Sequence, residues 1–352
     1  MQKLIIAPAV LTGIFCWSNY SLAACWLTSS VYTTAAVATP LEGSISVTPD
    51  MPVGTHLGSL IKNNNRGTAG SLVKIDCTTT QAFYYRYNVS GLVNSGVMSG
   101  GKTIYRTSYP GIGVWVPSEA LNKLESMGYL GSSYSRGAPS FAMEFYKIGD
   151  IAPGVFDGST LPAYTQSIGH SNSMVQIGGM RPTGSITITA PTCTTPDVLV
   201  DMGDWSVGTF AGKNSGTVWR DASIQLTNCG QFHGNRITIQ RNLDGTSVIT
   251  PRPNTWTLSL TPLYGTEDAA NGIMKIDSSS GSASGVGIQV GYGSTASAGS
   301  NLVNFLVDKT DNLPMTGDTT INIPLAARYV QTEDTITGGR ADSKATFTIS
   351  YK

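Results

Sequence analysis

The side chains able to do chemistry are few and scattered. Three histidines, His56, His170 and His233, stand far apart, with no ligand spacing that marks a metal site. His56 and His170 could meet only if the fold brought them together. Serine, histidine and aspartate are all present, yet no G-x-S-x-G elbow surrounds a serine. Carboxylates are spread without a pattern that singles out a glycosidase pair. The glycine-rich stretches, Gly111-Ile112-Gly113 and 281–293, lie among strand-like residues with no helix to follow, which suits turns rather than a phosphate loop. No enzyme activity, no cofactor and no metal is therefore expected.

The cysteines carry more information. Residues 1–23 open on Lys3, run through IIAPAVLTGIF and end in Ser21-Leu22-Ala23, the form of a signal peptide cleaved after Ala23 or Ala24. Leu22-Ala23-Ala24-Cys25 also fits a lipoprotein box, but lipidation of Cys25 would leave an odd cysteine behind. Cys16 leaves with the leader, and Cys25, Cys77, Cys193 and Cys229 remain, an even set in an exported and hence oxidising setting. Of the three possible pairings, their clustering favours Cys25 with Cys77 and Cys193 with Cys229. Loss of Lys3 turns 22 basic residues into 21 against 22 acidic ones, a net charge of −1, which speaks against a nucleic-acid partner.

The elements that position these residues are strands. Charged residues make up only 12% of the chain and glycine is abundant, a composition of strands joined by tight turns. Alternation of apolar and polar residues predicts strands at 185–190, 222–226, 236–240, 255–260, 286–290 and 346–351. One segment, SEALNKLESMGY at 118–129, instead repeats Ala120, Leu121, Leu124 and Met127 at helical steps behind Ser118, which predicts a short helix. Ala190-Pro191-Thr192 reads as the boundary between two domains, 24–190 and 191–352.

From 191 onward the chain carries PTC at 191–193, SIQLTNC at 223–229, SGVGIQV at 284–290, IPLAARYV at 323–330 and ATFTISYK at 345–352. Through these motifs it resembles the pilin domain of chaperone–usher fimbriae. Gly339 stands fourteenth from the C-terminus, Tyr351 is penultimate before Lys352, and Phe347, Ile349 and Tyr351 share one face. Alternation alone would fit the last strand of any complete sandwich; the accompanying motifs would not follow from that. The resemblance implies an all-β protein of two immunoglobulin-like sandwiches, the C-terminal one lacking its last strand. It implies as partners a periplasmic chaperone, an outer-membrane usher and an adjacent pilin that donates a strand, with export through the periplasm to the fimbrial tip. Residues 24–190, with their own cysteine pair, replace the free donor arm of an ordinary pilin, so the subunit accepts a strand and cannot give one.

The first half resembles the lectin domains of two-domain fimbrial adhesins through MPVGTHL at 51–57, YRTSYPGIGVWV at 105–116 and FAMEFYKIGDIAPG at 141–154. The sites of the mannose-binding members correspond to Ala24, to Thr79, Thr80 and Gln81, and to the loop 150–157 with Asp150 and Asp157. Their N-terminal Phe and Asn-Asp pair are missing here, so mannose specificity does not carry over. A sugar site needs planar polar groups and an aromatic face. Trp115, Tyr134, Tyr84 or Tyr164 are candidates for that face, whereas Tyr85 and Tyr87, alternating within a strand, are expected to pack. The expected ligand is a host glycan or glycoprotein.

Overall fold

A computed structural model describes residues 24–30, 34–63, 72–117, 121–137, 139–242 and 244–352; the signal segment lies outside them. The protein is all-β, and among the described residues the only helical turns are three 3-10 segments, Gly158–Thr160, Val207–Thr209 and Ala298–Ser300. Every alternating run singled out in the sequence lies at least partly in a strand, the run at 222–226 being shortened to Ile224–Leu226. Both disulfides form as the clustering favours, Cys25 with Cys77 and Cys193 with Cys229.

The helix expected at 118–129 is a correction. Residues 118–120 lie outside the described residues, and Glu125–Gly137 is a strand that pairs with Leu72–Asn88. Asn122 and Gly128 hold φ of 60° and 63°, outside the helical region. The Asn122 side chain accepts from the Val89 N–H and donates to the Val89 carbonyl. These partners, distant in sequence, outweigh the marginal stability of a three-turn helix.

In the first half an eight-stranded sheet runs Cys25–Ser30, Leu72–Asn88, Tyr164–His170, Ser173–Thr189 and Gly154–Asp157, with three shorter or lateral strands attached. A second sheet contains His56–Lys62, Phe141–Lys147, Ile112–Trp115, Lys102–Arg106 and Val93–Ser99. Leu41, Phe156, Tyr164 and Ile186 of the first sheet pack against Leu60, Val114, Phe141 and Met143 of the second in one buried core. A satellite cluster of Val73, Ile75, Phe83 and Ile168 sits under the Cys25–Cys77 bridge. The second half builds smaller sheets around Ile224, Leu226, Trp256, Leu258 and Leu325.

One hairpin crosses between the halves. Arg236–Arg241 and Ser247–Arg252 turn at Asp244-Gly245, where Gly245 takes φ of 82° as such turns demand. Arg236–Arg241 then pairs in parallel with His56–Lys62, from Ile237 opposite Gly58 to Arg241 opposite Lys62. Ile237 and Ile239 are buried in the first half's core. A Cβ on Gly58 would lie 2.4 Å from the Ile237 carbonyl oxygen, so only glycine permits this approach. The junction is further bonded at Ser46, whose N–H donates to Gly234 and whose carbonyl accepts from the Asn254 amide. Arg241 reaches the Pro40 carbonyl and the Glu42 carboxylate.

Candidate functional site

The C-terminal strand Ala345–Tyr351 pairs antiparallel with Thr255–Pro262, from Ala345 opposite Pro262 to Tyr351 opposite Trp256. Thr255 and Lys352 exchange both backbone hydrogen bonds, 2.7 and 2.8 Å, and the Leu263 N–H donates to Lys344. Hydrogen-bonded rungs alternate along an antiparallel ladder, so Thr346, Thr348 and Ser350 also face Thr255–Pro262. The N–H and C=O groups of Ala345, Phe347, Ile349 and Tyr351 point the other way. Among the described residues no strand lies on that side, and Ala345–Tyr351 is the last member of its sheet.

The side chains of Phe347, Ile349 and Tyr351 turn toward the core of the second half. Tyr351 is buried with its ring 5.7 Å from that of Phe232, and burial pushes its phenol up. Phe347 and Ile349 are only half-buried against that core. Elsewhere on this half Val198 and Leu199 lie in the strandless stretch 195–206, and Leu199 is 99% exposed. Gly339 sits where the chain runs beside 281–283; a Cβ there would be 2.5 Å from the Ala283 nitrogen. Arg340 accepts from the Ala283 N–H and donates to the Gly281 carbonyl on either side of this approach. Phe347, Ile349 and Tyr351 thus share one edge strand, with Lys352 at its end bonded to Thr255, whereas Gly339 lies apart beside 281–283.

The candidates of the first half are not. Ala24, Thr79, Thr80 and Gln81 gather at one end beside the Cys25–Cys77 bridge: Ala24 and Thr78 bond through backbone and side chain, and Gln81 Nε2 donates to Thr79 Oγ1. Tyr134 belongs to the same end, its ring 5.5 Å from Phe83 and 5.4 Å from Tyr129. Cys25 N donates to Ser173 Oγ there, at the start of the Ser173–Thr189 strand. Asp157 faces Ser185, twelve residues along that strand and roughly 40 Å away at strand rise. Asp157 caps the Gly158–Thr160 turn, and its bonds with Ser159 hold its carboxyl below the usual range. Asp150 lies against Gly111, and nearby Tyr109 bonds to the Ala152 carbonyl and packs on the Phe156 ring, which ties the loop to the Asp157 end. The loop 150–157 therefore does not join Ala24 and Thr79–Gln81 in one site. Tyr164 is wholly buried, stacked on Tyr87 at 5.3 Å.

Trp115 lies in the other sheet, within a cluster of polar and aromatic groups. Lys102 Nζ is 4.1 Å from the centre of its ring and 2.5 Å from Glu144 Oε2, which also accepts from the Tyr146 hydroxyl. Burial raises the Glu144 carboxyl, but the bonds from Lys102 and Tyr146 and the Lys102 charge outweigh it and leave it below its ordinary range. The His56 ring lies 5.1 Å from Tyr146, and burial lowers its pKa. His56 and His170 do not meet: His170 is in the first sheet, with Nε2 3.1 Å from the Gly131 carbonyl and its ring edge-on to Phe83. Cys25, Cys77 and His170 group closely, but both sulfurs are spent in the disulfide.

Sequence reading missed several surface features. Trp26, Tyr129 and Leu130 are exposed apolar groups near the Cys25–Cys77 end, each on a strand whose alternation is diluted by serine and glycine. A shallow recess of about 320 Å³, lined among others by Leu92, Arg106, Ser108, Thr160 and Pro162, opens on the first half. Arg106 and Ser108 belong to the YRTSYPGIGVWV segment, but nothing in that segment's pattern marks a recess.

Residues 183–352 match the family model described as fimbrial protein. No protein with a curated description matches the chain. Among solved structures it is similar to the CupB6 tip adhesin of Pseudomonas aeruginosa, at 14% identity over 93% of this chain and 94% of that one, with a TM-score of 0.37. It is similar to the receptor-binding domain of the adhesin MrkD1P of Klebsiella pneumoniae at 22% identity, over 49% of this chain and 98% of that one, TM-score 0.31. The chaperone–tip subunit complex CsuC–CsuE of Acinetobacter baumannii is similar at 13% identity, over 93% of this chain and 99% of that one, TM-score 0.24.

Proposed function

We propose that this chain is a two-domain fimbrial tip adhesin, in which residues 24–190 bind a surface receptor and residues 191–352 hold the subunit in the fibre by accepting a strand. The observation that carries this reading is the open edge of Ala345–Tyr351, where backbone groups point outward and half-buried Phe347 and Ile349 lie beneath, within the segment that matches the fimbrial-protein model. An edge of this kind favours an added strand with alternating apolar side chains, first from a periplasmic chaperone and then, after passage through an outer-membrane usher, from the adjacent pilin. Fimbrial proteins are structural and binding proteins, so no reaction is assigned.

The receptor is read as a host glycan or glycoprotein, held at the end with Ala24, Thr79, Thr80, Gln81 and Tyr134 or at the Trp115 cluster. Exposure of Trp26, Tyr129 and Leu130 favours a second reading, attachment to an extracellular-matrix protein through an apolar contact. The test uses residues 24–352 stabilised with a donor peptide, applied to a glycan array and to immobilised matrix proteins. Saturable glycan binding supports the first reading, matrix binding with a blank array supports the second, and neither would return the chain to a structural minor pilin. Immunogold labelling of assembled fibres should find the chain at one end; labelling along the shaft would contradict the tip position.

A further inference from the structure

We propose that Thr48 and Asp50, from the first half, cap the open edge of Ala345–Tyr351 and fix the register in which an incoming strand pairs with it. This rests on the strand-accepting reading of that edge. Of the four residues whose backbone groups face outward, the last is already engaged. The Tyr351 N–H donates to Asp50 Oδ2 at 3.0 Å, and the Tyr351 carbonyl accepts from Thr48 Oγ1. These are the two groups that an added strand would take at that rung. Ala345, Phe347 and Ile349 are left for it, and a strand running past Ile349 would meet Asp50.

The cap is seated rather than loose. Thr48 is buried, and its carbonyl accepts from the Met51 N–H and, with that of Pro49, from the ammonium of the buried Lys147. Val47, just before it, donates to the Thr189 carbonyl, and Lys147 is in turn held by backbone bonds to Gly54 and Thr55. The stop is therefore fixed to both sheets of the first half.

A stop at one end solves a problem that alternation creates. A donor with alternating apolar residues keeps its faces when it slips by two residues, because side chains repeat with period two. Alternation alone does not choose between such registers. A blocked last rung does, since the slipped strand loses either a rung or its space.

The experiment uses residues 24–352 and a parent peptide of alternating valine and threonine, together with the same peptide lengthened by two residues at one terminus or the other. Affinity is measured for the wild-type chain, for Asp50→Ala and for Thr48→Val with Asp50→Ala; the single substitution on the exposed Asp50 guards against loss of fold in the double variant, which circular dichroism monitors. One of the two lengthened peptides should bind the variants about tenfold more tightly than the parent while gaining less than about twofold on the wild type. Equal gains on wild type and both variants would overturn the stop. Binding of no peptide to any of the chains would overturn the strand-accepting reading and the stop with it.

Discussion

Two residues show how a single atom decides the local structure. Gly339 stands where any Cβ would collide with the 281–283 backbone, so Gly339→Ala should lower stability by about 1–3 kcal/mol, read from denaturant unfolding. An unchanged midpoint would show that the two segments separate readily. His56 makes a pH prediction. Burial, with Arg236 and Lys102 nearby, lowers its folded pKa below 6.5, against the opposing pull of Glu144 and the Gly58 carbonyl. As pH falls through 6.5 the unfolded chain takes up this proton first, so the His56 contribution is present above pH 6.5 and lost as pH approaches the lowered value. The midpoint of thermal unfolding should therefore fall between pH 7.5 and 5 by more in the wild type than in His56→Gln; parallel slopes would refute this. Of these residues, Gly339 was legible by its place in the C-terminal motif. His56 was not, because its neighbours Tyr146 and Glu144 come from a strand more than eighty residues away.

Among the elements, strands were legible wherever apolar and polar residues alternate, and the disulfides wherever cysteines cluster. What failed was the segment 118–129, whose helical repeat gave way to pairing with Leu72–Asn88, and the role of Arg236–Arg241. The alternation of that strand was plain, but nothing local says that its partner is His56–Lys62 in the other half. Parallel partners far apart in sequence leave no turn signal between them. The crossing has a consequence for stability. Ile239 belongs to the second half by sequence and to the first half's core by packing, so Ile239→Ala should cost about 2–5 kcal/mol. That loss should appear as faster hydrogen exchange along His56–Lys62. For the same reason residues 24–190 alone should be less stable than the same residues within the whole chain, and adding 233–254 back should not be neutral. A 24–190 fragment as protected along His56–Lys62 as the full chain would show the hairpin to be dispensable.

For the whole molecule, the receptor-facing candidates proved less legible than the assembly edge. A sugar site inferred from segments scattered over the first half splits between its two ends, with Trp115 in a different sheet, because strand pairing rather than order along the chain decides which loops meet. The assembly edge lies within one continuous segment, so its pattern survives in the sequence. The shared sheet and the Thr48–Asp50 contact with Tyr351 bind the two halves at several points, so load applied at the receptor end should pass into the fibre through paired strands as well as through 190–192. The central claim, that Ala345–Tyr351 accepts a strand, is tested most directly by amide hydrogen exchange within that strand. In the isolated chain Thr348, bonded to Ser259, should be protected while Phe347 and Ile349 exchange quickly, and an alternating apolar peptide should slow the latter two by about a hundredfold, some 3 kcal/mol of local protection. Phe347 and Ile349 already as protected as Thr348, and unmoved by the peptide, would contradict it.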